Sequence, residues 1–325
     1  MALIKKKIYF KKNINFIFDI NKFENSAAGY SYYYNYYQMI RKFGYTASYF
    51  DIKNIKRKLS KSKKNILFLQ QHNLNYIDEL LILKKDYNFR IGIPAELENI
   101  VLKNKNIFLG KKNLIDFYYA WHNPNFINNS KMYSSYKLSK KPIISLEPAF
   151  NFFNFNKYFN TKKKYHFVYF ASLNLLKFDR FSKFFSKILR NYMGIIDGPN
   201  WMHSSNSNFD NKLQSKIYSE SLIGLNLSID FQIKNNSELN ERTYILAGLG
   251  IPQLIDNPKL LSDVYPEGLI QSASNASEFF FLFKKMINNY NFFLKKSKLA
   301  MIYTFKNHTY YERVNFLIKQ MDTYL

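Results

Sequence analysis

Leu239-Asn240-Glu241-Arg242-Thr243-Tyr244-Ile245-Leu246-Ala247-Gly248, running on through Leu249-Gly250-Ile251-Pro252 to Gln253-Leu254-Ile255, is the stretch on which the fold turns. Residues 239–248 predict a helix, the small residues after them a turn, and 251–255 a short apolar strand. A helix that hands the chain directly to a buried strand is the building unit of parallel sheets. The same grammar surrounds it. Upstream, 165–171 predicts a strand and 172–177 a loop. Residues 178–192 predict a helix with Phe178, Phe181, Phe184, Phe185, Ile188 and Leu189 on one face. Residues 192–197 lead into a Gly198-Pro199 turn, 212–222 predicts a helix and 223–227 a strand. Downstream, Asn275 with Glu278 reads as a capping pair for a helix over 278–289.

The first half reads alike: strand 13–20, loop 21–29, aromatic helix 30–43 stopped by Gly44, and strand 45–52. A buried strand 64–70, a helix 76–85 and a strand 90–93 follow. The Asn-, Phe- and Lys-rich stretch 148–164 predicts a linker. The expected architecture is α/β, with two doubly wound Rossmann-like domains facing an interdomain cleft. It comprises a first domain over 1–155, a second over 156–305, and a C-terminal helix over 306–325 packing back on the first.

The chain has 325 residues, with Lys+Arg 48 against Asp+Glu 23, a formal net charge of +25 and Cys 0. Without cysteine there is no disulfide scaffold, thiolate zinc site, iron–sulfur cluster or cysteine nucleophile. Hydrophobic content of 47% argues against wholesale disorder. No apolar run reaches the roughly 18 residues of a membrane-spanning helix, and the basic N-terminus lacks an apolar stretch of signal-peptide length. The expectation is a cytoplasmic protein able to rest on the inner face of a membrane. The charge invites a nucleic-acid partner. Arginine, however, stands only at 41, 57, 90, 180, 190, 242 and 313, so 48 − 7 leaves 41 lysines. With so much Asn, Ile, Phe and Tyr alongside, much of the excess reads as A/T-rich coding on a solvated surface. The rest is open to anionic lipid, glycan or nucleic acid.

Four motifs in the second half bear a family resemblance. Asn240-Glu241-Arg242-Thr243-Tyr244 with its small-residue turn resembles the Asn-x-Arg-x-Phe-Glu helix of GT-B glycosyltransferase donor domains, closest to the CgeB-like group and more widely family 4-like. Val168-Tyr169-Phe170-Ala171-Ser172-Leu173-Asn174 is similar to the strand and loop that open that domain. Asp197-Gly198-Pro199-Asn200-Trp201 resembles its Gly-x-x-Trp turn, and His308-Thr309-Tyr310-Tyr311-Glu312-Arg313 its terminal His-Thr-Tyr-x-x-Arg helix. The resemblance covers about residues 165–320. It implies a nucleotide-sugar donor and a hexosyl transfer, with Ser172, Asn174, Arg180, Gly198, Asn240, Glu241, Arg242 and Tyr244 around the donor. Two departures stand out. The acidic residue expected after Tyr244 to hold the ribose is Ile245, and the carboxylate of retaining members eight residues earlier is Ser237. Ala171 stands where glycine is common.

The physical chemistry agrees with the placement. A diphosphate suits helix N-termini with open N–H groups, and Arg242 and Arg180 lie within a turn of two such starts. Arg242 is either a phosphate contact or part of an internal ion pair; Arg180 is either a phosphate contact or solvated. No Asp-x-Asp and no His/Asp cluster offers metal spacing, so a metal-independent transfer with no cofactor is expected. On the acceptor side, candidate bases at strand ends are His72, Glu24 and Glu96, His72 being also readable as a loop histidine on a backbone carbonyl. His122, beside Trp121, reads as a cleft residue or as packing. Tyr30 and Tyr33 open a tyrosine-rich helix that suits a sugar or base, or simply packs. His308 is placed near the cleft. The expected acceptor is a glycan, a lipid-linked molecule or a protein. The alternatives are a DNA-directed enzyme of the same fold and a degenerate binding protein without turnover.

Overall fold

Ile14–Phe18, Ile66–Phe68 and Phe117–Ala120 are largely apolar, as strands covered on both faces must be. The computed structural model describes residues 13–20, 27–95, 115–155, 161–173, 175–201, 211–256 and 258–324. Its first sheet holds β1 (Ile14–Phe18), β2 (Thr46–Tyr49), β3 (Lys64–Phe68), β4 (Phe89–Pro94), β5 (Phe117–Ala120) and β6 (Ile143–Ser145). They lie in the order β2-β1-β3-β4-β5-β6, every pair parallel. The polar exceptions in β1 and β3 satisfy each other: Asn15 and Asn65 sit opposite in register, and Asn15 Nδ2 donates to Asn65 Oδ1 at 2.7 Å.

The second sheet holds β7 (Tyr165–Phe170), β8 (Gly194–Asp197), β9 (Ser221–Asn226), β10 (Gln253–Ile255) and β11 (Gln271–Ser272). Its order is β8-β7-β9-β10-β11, again parallel throughout. The principal helices are α1 (Ala27–Lys42), α2 (Ile77–Leu83), α3 (Phe178–Asn191), α4 (Asn211–Glu220), α5 (Glu241–Leu249), α6 (Ala276–Asn288), α7 (Tyr290–Asn307) and α8 (Tyr310–Tyr324). Each sheet carries one apolar cluster per face. This is the doubly wound arrangement expected from the sequence.

Three expectations need correction. β5 and β6 escape sequence reading because they are only 4 and 3 residues long, too short for a pattern of their own. On α3, Phe181, Phe184, Phe185 and Ile188 are buried, but Phe178 and Leu189, at the two ends of the helix, are exposed. The 148–164 stretch does not begin as a free linker. Ala149, Phe150 and Asn151 are buried, and Phe150 pairs in parallel with Thr309. Phe150 N donates to His308 O at 2.9 Å and Tyr310 N to Phe150 O at 3.1 Å, so the outgoing and returning chains cross side by side.

Beyond that crossing, α8 returns to the first half. Val314, Leu317, Ile318 and Met321 join the cluster that contains Phe16, Phe18, Tyr36 and Ile40. Leu317 is fully buried there. Leu317→Ala is expected to lower unfolding free energy by about 2–5 kcal/mol, read from urea denaturation, because the truncated methyls leave a cavity in a packed layer.

Candidate active site where the two sheets face each other

In an open parallel sheet the crevice lies where strand order reverses, because the two loops there diverge. In the second sheet that point falls between β7 and β9, and Arg242 spans it. Its Nε donates to the carbonyl of Phe170, the last residue of β7. Its Nη1 donates to Asn226 Oδ1 at the end of β9, at 2.9 Å. The guanidinium lies 4.7 Å from the Tyr169 ring centroid. All these acceptors are neutral, and among the described residues no carboxylate pairs with Arg242. Its charge is therefore uncompensated by an ion pair at the crevice.

The start of α5 fixes this arginine. Asn240 caps the helix, its side chain accepting from Thr243 N, and its amide donates to Asn226 Oδ1 at 2.8 Å. Asn226 in turn donates to Thr243 Oγ1 at 2.8 Å. The Asn240 amide is thus spent on positioning.

Two more cations converge. Arg180, in the first turn of α3, pairs with Asp256 just beyond β10 and lies 3.6 Å from Asp230. Asp256 also accepts from Ser228 N at 2.8 Å. Lys177, the residue before α3, has its ammonium pushed down to about 7, chiefly by burial and further by the charge of Arg242. No side chain caps α3, whose start places Lys177 and Arg180 beside Arg242.

The turn 197–201 walls this region. Gly198 has φ +135°, and a Cβ there would lie 2.4 Å from Ala171 O, so only glycine fits. Trp201 Nε1 donates to that carbonyl at 2.7 Å, and Leu173 N to Pro199 O at 2.9 Å. Ser172, half-buried, stands in the loop so held; Asn174 lies outside the described residues.

Other expected donor residues are placed elsewhere. Tyr244 is buried against Tyr265 and His308. Glu241 accepts from Asn35 Nδ2 at 3.0 Å and from Tyr310 OH at 3.2 Å, tying α5 to α1 and α8. His308 sits among Tyr244, Tyr265 and Tyr303, its Nε2 3.2 Å from Val264 O. Burial, and secondarily Arg313, push its imidazole down to about 4. Arg313 itself lies 3.5 Å from Glu147 and donates to Pro148 O at 3.4 Å. The terminal motif is a joint between halves. Ile245 packs half-buried on the second core.

In the first sheet the order reverses between β1 and β3, and Asp19 stands there, fully buried. Its Oδ2 accepts from Gln70 N at 3.0 Å and from Asn73 Nδ2 at 2.5 Å. A single Asp after a strand carries no motif, which is why sequence reasoning missed it. His72 lies in the short helical turn Gln71–Tyr76 that follows β3. Glu24 and Glu96 fall outside the described residues, and Tyr30 lies in the first turn of α1, which opens at Ala27 and not, as expected, at Tyr30. Tyr33 is buried, donating to Tyr119 OH at 3.1 Å with Trp121 beside it, so it packs rather than lines the cleft. The tyrosines nearer the surface are Tyr34, Tyr37 and Tyr49, with ring centroids 6.1 and 4.5 Å apart in that order.

A pair that the sequence did not join links the halves. His122, just past β5, has Nε2 3.8 Å from Glu238 Oε2, just ahead of α5. His122 Nδ1 contacts Tyr133 OH, and burial pushes the imidazole down to about 4, so it is neutral. Glu238 accepts from Gln232 Nε2 at 3.0 Å, and its carboxyl is pushed up to about 7, chiefly by burial. Beside it the Ser237 hydroxyl is buried with no hydrogen-bond partner among the described residues. The region thus offers cations for an anion, and a carboxyl that changes charge near neutrality.

No family model and no curated protein matches the chain. Solved structures do. One is an alpha-glucosyltransferase in complex with UDP and a 13-mer DNA containing a central A:G mismatch, with TM-score 0.63 and 11% identity over 95% of this chain and 98% of that one. T4 phage BGT with its UDP-glucose substrate gives TM-score 0.62 and 11% identity over 96% and 99%. Sucrose-phosphate synthase from Thermosynechococcus elongatus gives 0.57 and 9% over 96% and 98%. At these identities the likeness shows the fold, which is of GT-B type.

The Glu238 carboxyl has its folded-state value raised, so the folded chain holds its proton more tightly than the unfolded chain between the ordinary glutamate range and about 7. Its presence therefore lowers stability progressively as pH rises through that window. Glu238→Gln keeps an acceptor for Gln232 without the ionisation. Relative to the unsubstituted protein it is expected to gain about 1–3 kcal/mol between pH 5 and pH 8, in paired denaturant titrations.

Proposed function

We propose that the chain transfers a sugar from a nucleotide-sugar donor to an acceptor bound between its halves, the donor seated on the second sheet. The observation that carries this reading is Arg242 bridging the ends of β7 and β9 through neutral acceptors only, beside Lys177 at the start of α3. A diphosphate there meets two cations, which stabilise the charge that grows as the glycosidic bond breaks. Arg180, held by Asp256, shapes the site and adds a third cation. In this reading no protein-bound metal is required.

His122 and Glu238 supply the groups that face the transferred sugar, one from each half. A neutral imidazole and a carboxyl near its midpoint can both exchange hydrogen bonds with sugar hydroxyls. The acceptor hydroxyl loses its proton to a base at the β1/β3 crevice, where Asp19 and His72 are the residues to test first. The acceptor is a glycan, a lipid-linked molecule or a protein. A second reading, DNA as acceptor, is favoured by a specific pair of observations. One of the similar solved structures is in complex with DNA, and Lys53, Lys56, Arg57 and Lys58 come within nine residues of Tyr49 in the surface tyrosine row.

Calorimetry with nucleoside diphosphates tests the donor site. Arg242→Met is expected to weaken binding about 10- to 100-fold, the loss of charge-assisted hydrogen bonds. Glu241→Gln, whose side chain faces α1 and α8, is expected to leave that affinity unchanged. Failure of every nucleotide and nucleotide-sugar in a panel to bind would refute the assignment. Transfer of labelled sugar in the presence of EDTA, offered in parallel to duplex DNA and to lipid and glycan extracts, separates the two acceptor readings. Abolition of transfer by EDTA would overturn the metal-free site.

A further inference from the structure

One helix carries an apolar face that no described element covers. α7 buries Phe293, Ser297, Ala300 and Thr304. Its opposite arc leaves Phe292 55%, Leu299 55%, Ile302 61% and Phe305 48% exposed. Spaced seven, three and three residues apart, these side chains form one stripe about 20 Å long. Lys295, Lys298 and Lys306 are exposed along the same arc, and Lys296 Nζ lies 5.0 Å from the Phe292 ring centroid. Nowhere does the helix contain an acidic residue. The stripe also runs past the helix. Phe305 lies 6.1 Å from Phe152, Phe152 lies 4.4 Å from Phe153, and Phe153 is exposed beneath the Lys42 ammonium at 4.9 Å.

We infer that this face docks the protein on an anionic phospholipid bilayer. Aliphatic and aromatic side chains enter the boundary between headgroups and acyl chains, while the lysine stems reach back so that the ammonium groups meet lipid phosphates. Charge decides against a second copy of the chain, which would bring the same lysines face to face. Nucleic acid could use the rings and lysines but would leave Leu299 and Ile302, at the centre of the stripe, in water, whereas a bilayer takes them in. No described helix is long and apolar enough to cross a membrane, so contact is at the surface. The inference stands apart from the transfer reaction and does not depend on the donor or acceptor.

Flotation of the full chain with vesicles tests it, comparing phosphatidylcholine alone with phosphatidylcholine containing about a third phosphatidylglycerol. Binding is expected to the anionic vesicles only. The double variant Leu299→Ser/Ile302→Ser keeps the net charge and is expected to bind at least about tenfold more weakly, since it removes the inserted apolar surface. Lys295→Gln/Lys298→Gln is expected to weaken binding to the anionic vesicles. Unbound protein, or serine-variant binding equal to the original, overturns the proposal by leaving nothing or mere charge adsorption. A fall in solution mass on making the serine variant would assign the face to a protein contact instead. Duplex DNA binding that the serine variant weakens equally would assign it to nucleic acid.

Discussion

Two backbone hydrogen bonds at Phe150 hold the two halves in register. There the chain leaving the first sheet and the chain returning from the second lie side by side, with Phe150 bonded to both His308 and Tyr310. Around this crossing the side chains agree. Glu241 accepts from α1 and α8 at once, Asn151 donates to Asn35 at 2.7 Å, and Arg313 reaches Glu147. Gly248 packs so closely on the Phe150 ring that a Cβ would come within 2.3 Å of it. Because Glu241 opens the helix whose next residue is Arg242, the joint and the anion-facing arginine are mechanically one element.

The arginines show how one residue type takes different work from its surroundings. Arg313 meets Glu147 and becomes a tie. Arg180 meets Asp256 and becomes a brace behind the crevice. Arg242 meets a carbonyl and an amide oxygen and, of these three, pairs with no carboxylate among the described residues. The lysines, so numerous, follow a different logic: most are solvated, while Lys177 is buried beside Arg242 and its ammonium is pushed well below the ordinary range.

Much of this was legible in the residues. Long apolar runs and one-faced helices gave the two parallel sheets, and the Asn240–Tyr244 motif located the turn that carries Arg242. The capping Asn275 does accept from Glu278 N, at 3.0 Å. What stayed hidden has physical reasons. Motif neighbours on a helix point a hundred degrees apart, so Glu241 and Tyr244 face the joint and the core while Arg242 faces the crevice. His122 and Glu238 are brought together by the packing of two sheets, which no local spacing encodes. Asp19 and the shortest strands lack any pattern of their own.

The placement of α8 bears on how the molecule comes into being. The first sheet is synthesised first, yet the face carrying Phe16, Phe18 and Tyr36 acquires Val314, Leu317 and Met321 only after the whole second sheet has been made. During translation that aromatic face is covered only in part, by α1, while a second folding unit assembles beside it, a long-range closure of the slow kind. The earlier-born domain is thus the later-finished one.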